Sequence, residues 1–456
     1  MEVSGRGIMA CAHRMDLEGY AKLGLRRKDP DIGRKLADLI VEIKGIPRDR
    51  AESLAGAVLQ EARATLNPRG DVFELHGSGV SMGEFGVGSR GLGDFYMHTK
   101  IAEVIGRTGA VVDSSELDDS GVVRAGDRYL VVTVDGMHSR LSDYPFLAGF
   151  HVTRAALRDI LVMGAKPVAL FSDVHLADDG DVAKVLDHIA GIATVGELVN
   201  VPLITGSTLR IGGDMVIGDR LTGCVGAVGI AERITPRKDA SPGDVIIMTE
   251  GAGGGTICAA ALYYGMHDVV EETLNIKFLE AAGALIDESL EIHAMTDVTN
   301  GGIRGDAKEI SHTARVKMVF FEERMRSLVN HRVLDMLERL EIDYLGVSID
   351  ALLIIAPESE ADRIMDVIKR RGVAADIIGR VERGSGVELH TKEGIKDFSP
   401  RFRESAYTPI KKFVGEEATR DFEEMRTLVD AAAERAIEKK KRFVKMIRSR
   451  RSGSAA

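Results

Sequence analysis

Four short blocks constrain this chain more than any other feature. SELDDSGVV (115–123), TVDGMHSR (133–140), ITGSTLRIGGD (204–214) and AMTDVTNGGIRGDAKEIS (294–311) each set an acid or a hydroxyl beside glycines at a strand end. Singly, Asp-Gly is ordinary turn chemistry. Four in order across two halves of the chain point to one shared chemistry. Asp118, Asp119, Asp135, Asp297 and Asp306 are hard oxygen donors, the kind Mg²⁺ takes while keeping waters and nucleotide phosphates as its other ligands. Asp118 and Asp119 repel each other, which a bound cation would relieve; a solvated loop is the plainer alternative.

The surrounding pattern gives four segments. Residues 1–75 are a helical extension, with apolar residues at three- and four-residue spacing over 16–66 and Pro47 where a new helix begins. Residues 76–232 open on the Gly-rich stretch HGSGVSMGEFGVGSRGLGD (76–94) and continue as strands alternating with amphipathic helices. A similar unit, 233–400, starts with the strand DVIIMTEG (244–251) and the turn AGGGT. Residues 401–456 end in a long helical pattern, acidic at its start and basic at its end, as the helix dipole favours, with SGSAA expected to be disordered.

The chain has 456 residues, of which 50 are glycine, about 11% against a usual ~7%. Glycine in blocks suits a fold whose backbone N–H groups must approach a phosphate closely. In the Gly-rich stretch, Gly77, Gly79, Gly91 and Gly93 are candidate phosphate contacts, and Arg90 and Lys100 could pair with the anion. There is no GxxxxGK[ST], so it is not a P-loop. A flexible linker, mobile without ligand, is the alternative.

Charge excludes some classes. Residues 439–451 carry eight Lys or Arg and no acid, which leaves −18 on the rest of a chain whose formal total is −10. An acidic body argues against general nucleic-acid binding and suits a site that gathers divalent cations. Only the basic tail offers nucleic acid a surface. No apolar run is long enough for a membrane span, the N-terminus lacks a signal-peptide layout, and three scattered cysteines make no disulfide framework. A cytoplasmic protein is expected.

The ordered blocks resemble the aminoimidazole ribonucleotide (AIR) synthetase superfamily, also called PurM-like. It includes selenophosphate synthetase and thiamine-monophosphate kinase. LDDSGVV resembles the family's GDDAAV, VVTVDGM its TTDGV strand end, and ITGSTLR its GGDTxR turn. LRDILVMGAKPVAL (157–170) resembles SDxxAMGAxPxxx, the longest match, and HAMTDVTNGGIRGDA resembles TDVTGFGLxGHA. The resemblance spans roughly 76–390. It implies an α/β (α+β) protein of two domains, the first binding ATP and pairing with a second copy as a dimeric barrel.

The resemblance also implies Mg²⁺-ATP-driven phosphorylation, or ATP-driven synthesis, on a small-molecule substrate. By position, Asp118, Asp119, Asp135 and Asp297 would be metal ligands. Asp135 and Lys100 would be catalytic, and Asp159, Gly206, Ser207, Thr208, Asn300 and Gly301 would join the nucleotide contacts. Two positions depart from the pattern: Ala156 replaces an Asn, and Ser207 replaces the Asp of GGDT. The lost acid favours, as an alternative, a non-catalytic nucleotide-binding regulator or scaffold. Within enzymes, thiamine-monophosphate kinase-like or selenophosphate synthetase-like activity is the neighbouring alternative.

Overall fold

A computed structural model describes residues 16–211, 218–288, 290–299, 301–404, 406–415 and 417–453. Asn300, the Gly-Gly-Asp end of the third block and the last three residues lie outside them.

The first three helices, α1 (Leu17–Arg26), α2 (Ile32–Lys44) and α3 (Arg48–Ala64), form a bundle of their own. Asp16 caps α1 by accepting the Gly19 N–H at 2.5 Å, and Gly45, at φ +62°, ends α2. Leu17, Leu36, Ile40, Val58 and neighbouring alanines make its separate apolar core. The Gly-rich stretch then leads into α4 (Leu92–Ile105).

A five-stranded sheet follows, built from β1 (Gly121–Ala125), β2 (Arg128–Gly136), β3 (Lys166–Ala177), β4 (Leu203–Ile211) and β5 (Leu221–Ala231). Its order is β1-β2-β5-β3-β4, with only β3 and β4 parallel. Helices α5 (Pro145–Val162) and α6 (Ala183–Val199) cover one face. Strand alternation turns Val131 and Thr133 into that core and leaves Val132 and Val134 open on the other face, 38% and 60% exposed. Leu209 is likewise 55% exposed.

The second unit is a seven-stranded sheet of order β12-β11-β8-β10-β6-β9-β7. Its elements begin with β6 (Asp244–Thr249), α7 (Gly255–Tyr263), α8 (Asp268–Glu272), α9 (Lys277–Ile286), β7 (Ala294–Asp297) and α10 (Gly302–Ala314). Next come β8 (Lys317–Phe321), α11 (Glu322–Ser327), α12 (His331–Arg339), β9 (Leu352–Pro357) and α13 (Ala361–Arg370). The sheet closes with β10 (Ala375–Glu382), β11 (Gly386–Thr391) and β12 (Gly394–Asp397). Strand β6 sits between β10 and β9 with every residue buried, as an unbroken apolar run requires. Helix α5 packs on the first sheet and also against β7 and α9, so a single continuous core joins the two units.

The chain returns after β12. Helix α14 (Pro409–Val414) precedes α15 (Phe422–Gly453), which runs along α4. Met425, Val429 and Phe422 pack on Phe85 and Tyr96. The Gly-rich stretch is therefore anchored rather than a loose linker. Arg403 donates to the carbonyls of Gly83 and Glu84, Leu92 N–H donates to the Arg401 carbonyl at 3.1 Å, and Arg420 pairs with Glu84.

Candidate functional site

The acids of the first, second and fourth blocks meet where the two units touch. Each is delivered by a different element: Asp118 and Asp119 by the turn before β1, Asp135 by the end of β2, Asp159 by α5, and Asp297 by the end of β7. One oxygen each from Asp119, Asp159 and Asp297 lie within 4.8 Å of one another. Asp297 is fully buried, and its carboxylate makes no aligned hydrogen bond, its partner being the Arg158 guanidinium alone.

Hydroxyls and arginines hold this arrangement. Thr133 Oγ1 donates to Asp159 at 2.8 Å, and Thr296 Oγ1 to Asp119 at 2.9 Å. Arg237, 2% exposed, reaches Asp119 at 2.6 Å and Glu309 at 2.5 Å, while its backbone N–H donates to Asp118 at 3.0 Å. Arg158 Nε lies 3.0 Å from Asp297, and its Nη1 pairs with Asp350. Arg90 lies 3.2 Å from Glu309 and 3.6 Å from Asp306.

The electrostatics are lopsided. Seven carboxyls, Asp118, Asp119, Asp135, Asp159, Asp297, Asp306 and Glu309, face three guanidiniums, those of Arg90, Arg158 and Arg237. Burial pushes Asp118 and Asp297 up to about 7, against the downward pull of Arg237 on the first and Arg158 on the second. Burial also raises Asp119 and Asp135, and lifts Asp159 and Asp306 well above the usual carboxylate range. Buried carboxylates converging with orphaned oxygens fit a hard divalent cation, whose charge would offset both burial and mutual repulsion.

The other expected contacts divide. Arg90 reaches the acids because Gly301, at φ +103°, lets the chain pass it: a Cβ there would lie 2.4 Å from the Arg90 Cβ. Gly91 and Gly93 serve packing, since a Cβ would meet the Phe402 carbonyl oxygen at 2.0 Å and that of Phe85 at 1.7 Å. Gly77 and Gly79 are exposed and open. Lys100 is not among the acids; it pairs with Glu103 and Asp430 at 2.8 and 3.0 Å, between α4 and α15.

Gly206, Ser207 and Thr208 lie on β4, at the far edge of the sheet. One cross-strand row runs Asp135, Val225, Ser172, Gly206. Three strand spacings, about 14 Å, therefore part the third block from the acids within one chain. Sequence reasoning did not single out Arg237 or Arg158. Arg158 stands inside the block around Asp159; Arg237 sits in Thr-Pro-Arg-Lys, which reads only as a connection.

Comparison with known proteins supplies a family. Residues 117–231 match the model of the N-terminal domain of AIR synthase related protein, and residues 241–392 that of its C-terminal domain. The chain is 52% identical to the uncharacterized protein MJ1416 of Methanocaldococcus jannaschii, covering 96% of this chain and 99% of that one. It is 27% identical to a thiamine-monophosphate kinase of Pyrococcus horikoshii, over 60% of this chain and 86% of that one. Among solved structures, the hydrogenase maturation protein HypE in complex with ATP superposes with a TM-score of 0.52 at 20% identity, over 59% of this chain and 84% of that one, a likeness of fold.

Proposed function

The chain belongs to the AIR synthase related family, and from that premise we propose that it transfers the terminal phosphoryl group of Mg²⁺-ATP to a nucleophilic oxygen, or a similar atom, of a small molecule. The acceptor–phosphorus bond forms as the bond to the β,γ-bridging oxygen breaks, and ADP leaves. The phosphorylated acceptor is either the product or an intermediate for a second step. One observation carries this reading: carboxylates from both units bring oxygens within 4.8 Å of one another, and Asp297 among them is fully buried.

Asp119, Asp159 and Asp297 would hold the metal, with Asp135 beside them; Asp118 turns its oxygen to the Arg237 N–H. The metal would neutralise phosphate charge and align the triphosphate. Arg90, Arg158 and Arg237 orient the carboxylates and offer N–H donors to phosphate oxygens. Catalysis of this kind is mostly positioning and charge.

The apolar face of the first sheet supports a homodimer. Val132, Val134 and Leu209 open on one broad face, and a second copy covering it would bury them. Among the described residues no helix is long and apolar enough to cross a membrane.

Calorimetry with a non-hydrolysable ATP analogue tests the reading. Binding should require millimolar Mg²⁺ and be lost in Asp297→Asn; no heat in the unaltered protein would refute it. Binding without turnover of ATP by any acceptor would instead support the nucleotide-sensing alternative.

A further inference from the structure

Arg158 belongs to the acid cluster through Asp297, yet a carboxylate outside that cluster decides how it points. Its Nε lies 3.0 Å from Asp297 in an ion pair without an aligned hydrogen bond, buried with no acceptor in line. Its Nη1, by contrast, donates a hydrogen bond to Asp350. Hydrogen bonds to a guanidinium are directional, so Asp350 sets the plane of the Arg158 fork. Asp350 comes from the second unit, in the loop before β9, and its other oxygen accepts from Arg154 Nη2, one turn back along α5. One carboxylate thus clamps two arginines of α5. A Cβ on Gly254 would lie 3.7 Å from Arg158 Nη1, and one on Gly255 would lie 3.6 Å from the Cβ atoms of His138 and His151. The glycines at the start of α7 leave that side of the clamp clear.

The backbone forces Asp350 into place. It is buried, and its φ of +59° lies in the left-handed region, which a residue with a Cβ adopts only where its surroundings enforce it. They do so on both sides. The Ile349 carbonyl accepts the Gly253 N–H at 2.8 Å, and a Cβ on Gly251 would strike the Ile349 oxygen at 2.2 Å. The Ala351 carbonyl accepts the Val298 N–H at 2.8 Å, from the residue after Asp297, and Asp297 itself pairs with Leu352 in the sheet. The same backbone contacts therefore fix Asp297 and Asp350 relative to each other, with Arg158 reaching both. Arg154 Nη1 also donates to the Thr273 carbonyl at 2.7 Å, which steadies the far side of Asp350.

Charge alternates along this line, from Asp297 to Arg158 to Asp350 to Arg154. A divalent cation that takes Asp297 draws that carboxylate away from Arg158, and a buried guanidinium left without an acid is strongly destabilising. With Asp350 in place, Arg158 keeps both its counter-charge and its orientation. Asp297, for its part, has no aligned hydrogen bond to give up before it binds a metal. We propose that Asp350 is a positioning residue: it holds Arg158 by hydrogen bond so that the Asp297 oxygens stay available to a metal ion. That role rests on reading the acid cluster as the metal centre of the phosphoryl-transfer site. A simple clamp between the two units would stabilise the fold and leave metal affinity unaltered.

Mn²⁺ binding to the full-length protein without nucleotide, followed by electron paramagnetic resonance, tests this. Asn has the shape of Asp and tolerates a left-handed backbone, so Asp350→Asn removes the charge alone. It should weaken Mn²⁺ by about tenfold or more at a temperature where circular dichroism shows the variant folded, because Arg158 then turns fully to Asp297. In an Arg158→Met background the same substitution should cost less than about threefold, since the group through which Asp350 acts is gone. Unchanged affinity in folded Asp350→Asn, or an equal loss in both backgrounds, would overturn the role. Should Asp350→Asn fail to fold, the Arg158 guanidinium resonances of the unaltered protein, identified by their loss in Arg158→Lys, decide. Saturating Mg²⁺ should shift the Nε–H signal and leave the Nη1–H signal in place; movement of the Nη1–H signal instead would overturn the role. A non-hydrolysable ATP analogue that gives no heat, while Asp350-dependent Mn²⁺ binding persists, would sink the transfer reading and leave Asp350 its role. No Mn²⁺ bound by the unaltered protein would overturn both.

Discussion

Two polar regions adjoin α7, and they break the rules of a stable interior in opposite directions. The acid cluster sets seven carboxyls against three arginines; around His138 and Tyr407, Arg140 and Lys411 have no ion-paired acid among the described residues. A fold selected for stability alone would neutralise each, since an unpaired buried charge costs several kcal/mol. The two imbalances have opposite signs, and the proposed metal would offset the first. The difference can be attacked from either end.

The largest effect belongs to Asp297, fully buried in the cluster with Arg158 as its ion-pair partner. Asp297→Asn keeps the shape and removes the charge. It should lower Mg²⁺-dependent affinity for an ATP analogue by at least a hundredfold, on the order of 3 kcal/mol, read by calorimetry. A variant that binds as tightly as the parent would mean that the carboxylates do not hold the metal.

Arg237 tests the same cluster through its counter-charge. It bridges Asp119, Glu309 and the carbonyl of Leu117 from a fully buried position. Arg237→Met strips the acids of that partner and should cost roughly 3–5 kcal/mol in urea unfolding, the usual penalty for breaking a buried ion pair. A loss below about 1 kcal/mol would show the acids to be neutral in the folded apoprotein.

The two regions should also answer pH with opposite signs. Asp118 and Asp297, raised to about 7, favour the folded state when protonated, so their contribution is fully present below about pH 4 and is lost as pH rises through 7. His138, lowered to about 4, favours the folded state when neutral, so its contribution is present above about pH 6.5 and is lost as pH falls toward 4. Melting temperature without metal should therefore fall between pH 6 and 8, and millimolar Mg²⁺ should flatten that fall. An unchanged slope with Mg²⁺ would detach the titration from metal binding.

What the sequence disclosed follows from how local each signal is. The helices of residues 17–64 and the buried strand β6 are readable because apolar spacing and an unbroken apolar run are properties of one segment. Strand β5 is harder. Its glycines exist to admit neighbours, since a Cβ on Gly226 would strike the Phe171 ring at 2.1 Å, and glycine dilutes the β pattern that a reader would count. At the site, Asp119, Asp159 and Asp297 stand in recognisable blocks, whereas Arg237 acquires meaning only when a connection folds over the acids. Gly206, Ser207 and Thr208 fit their block in sequence, yet β4 holds them at the opposite sheet edge, a separation no spacing rule contains. The contact of Tyr407 with His138 is less legible still, because Tyr407 comes from a segment whose only sequence signal is a helix start at Pro409.

The smallest effect belongs to the cationic region. Lys411 is mostly buried, stacks on Tyr407 and has its pKa pushed down to about 8, so the folded apoprotein pays for its charge below that pH. Lys411→Met retains the aliphatic stem and removes the ammonium. At pH 7 it should therefore stabilise the apoprotein by about 1 kcal/mol in urea unfolding, whereas Lys100→Met, which breaks exposed pairs with Glu103 and Asp430, should cost less than about 1 kcal/mol. A gain would show that no group inside the fold offsets the burial of this ammonium. If Lys411→Met instead destabilises the apoprotein, the ammonium has an internal partner, and the contrast between the two regions disappears.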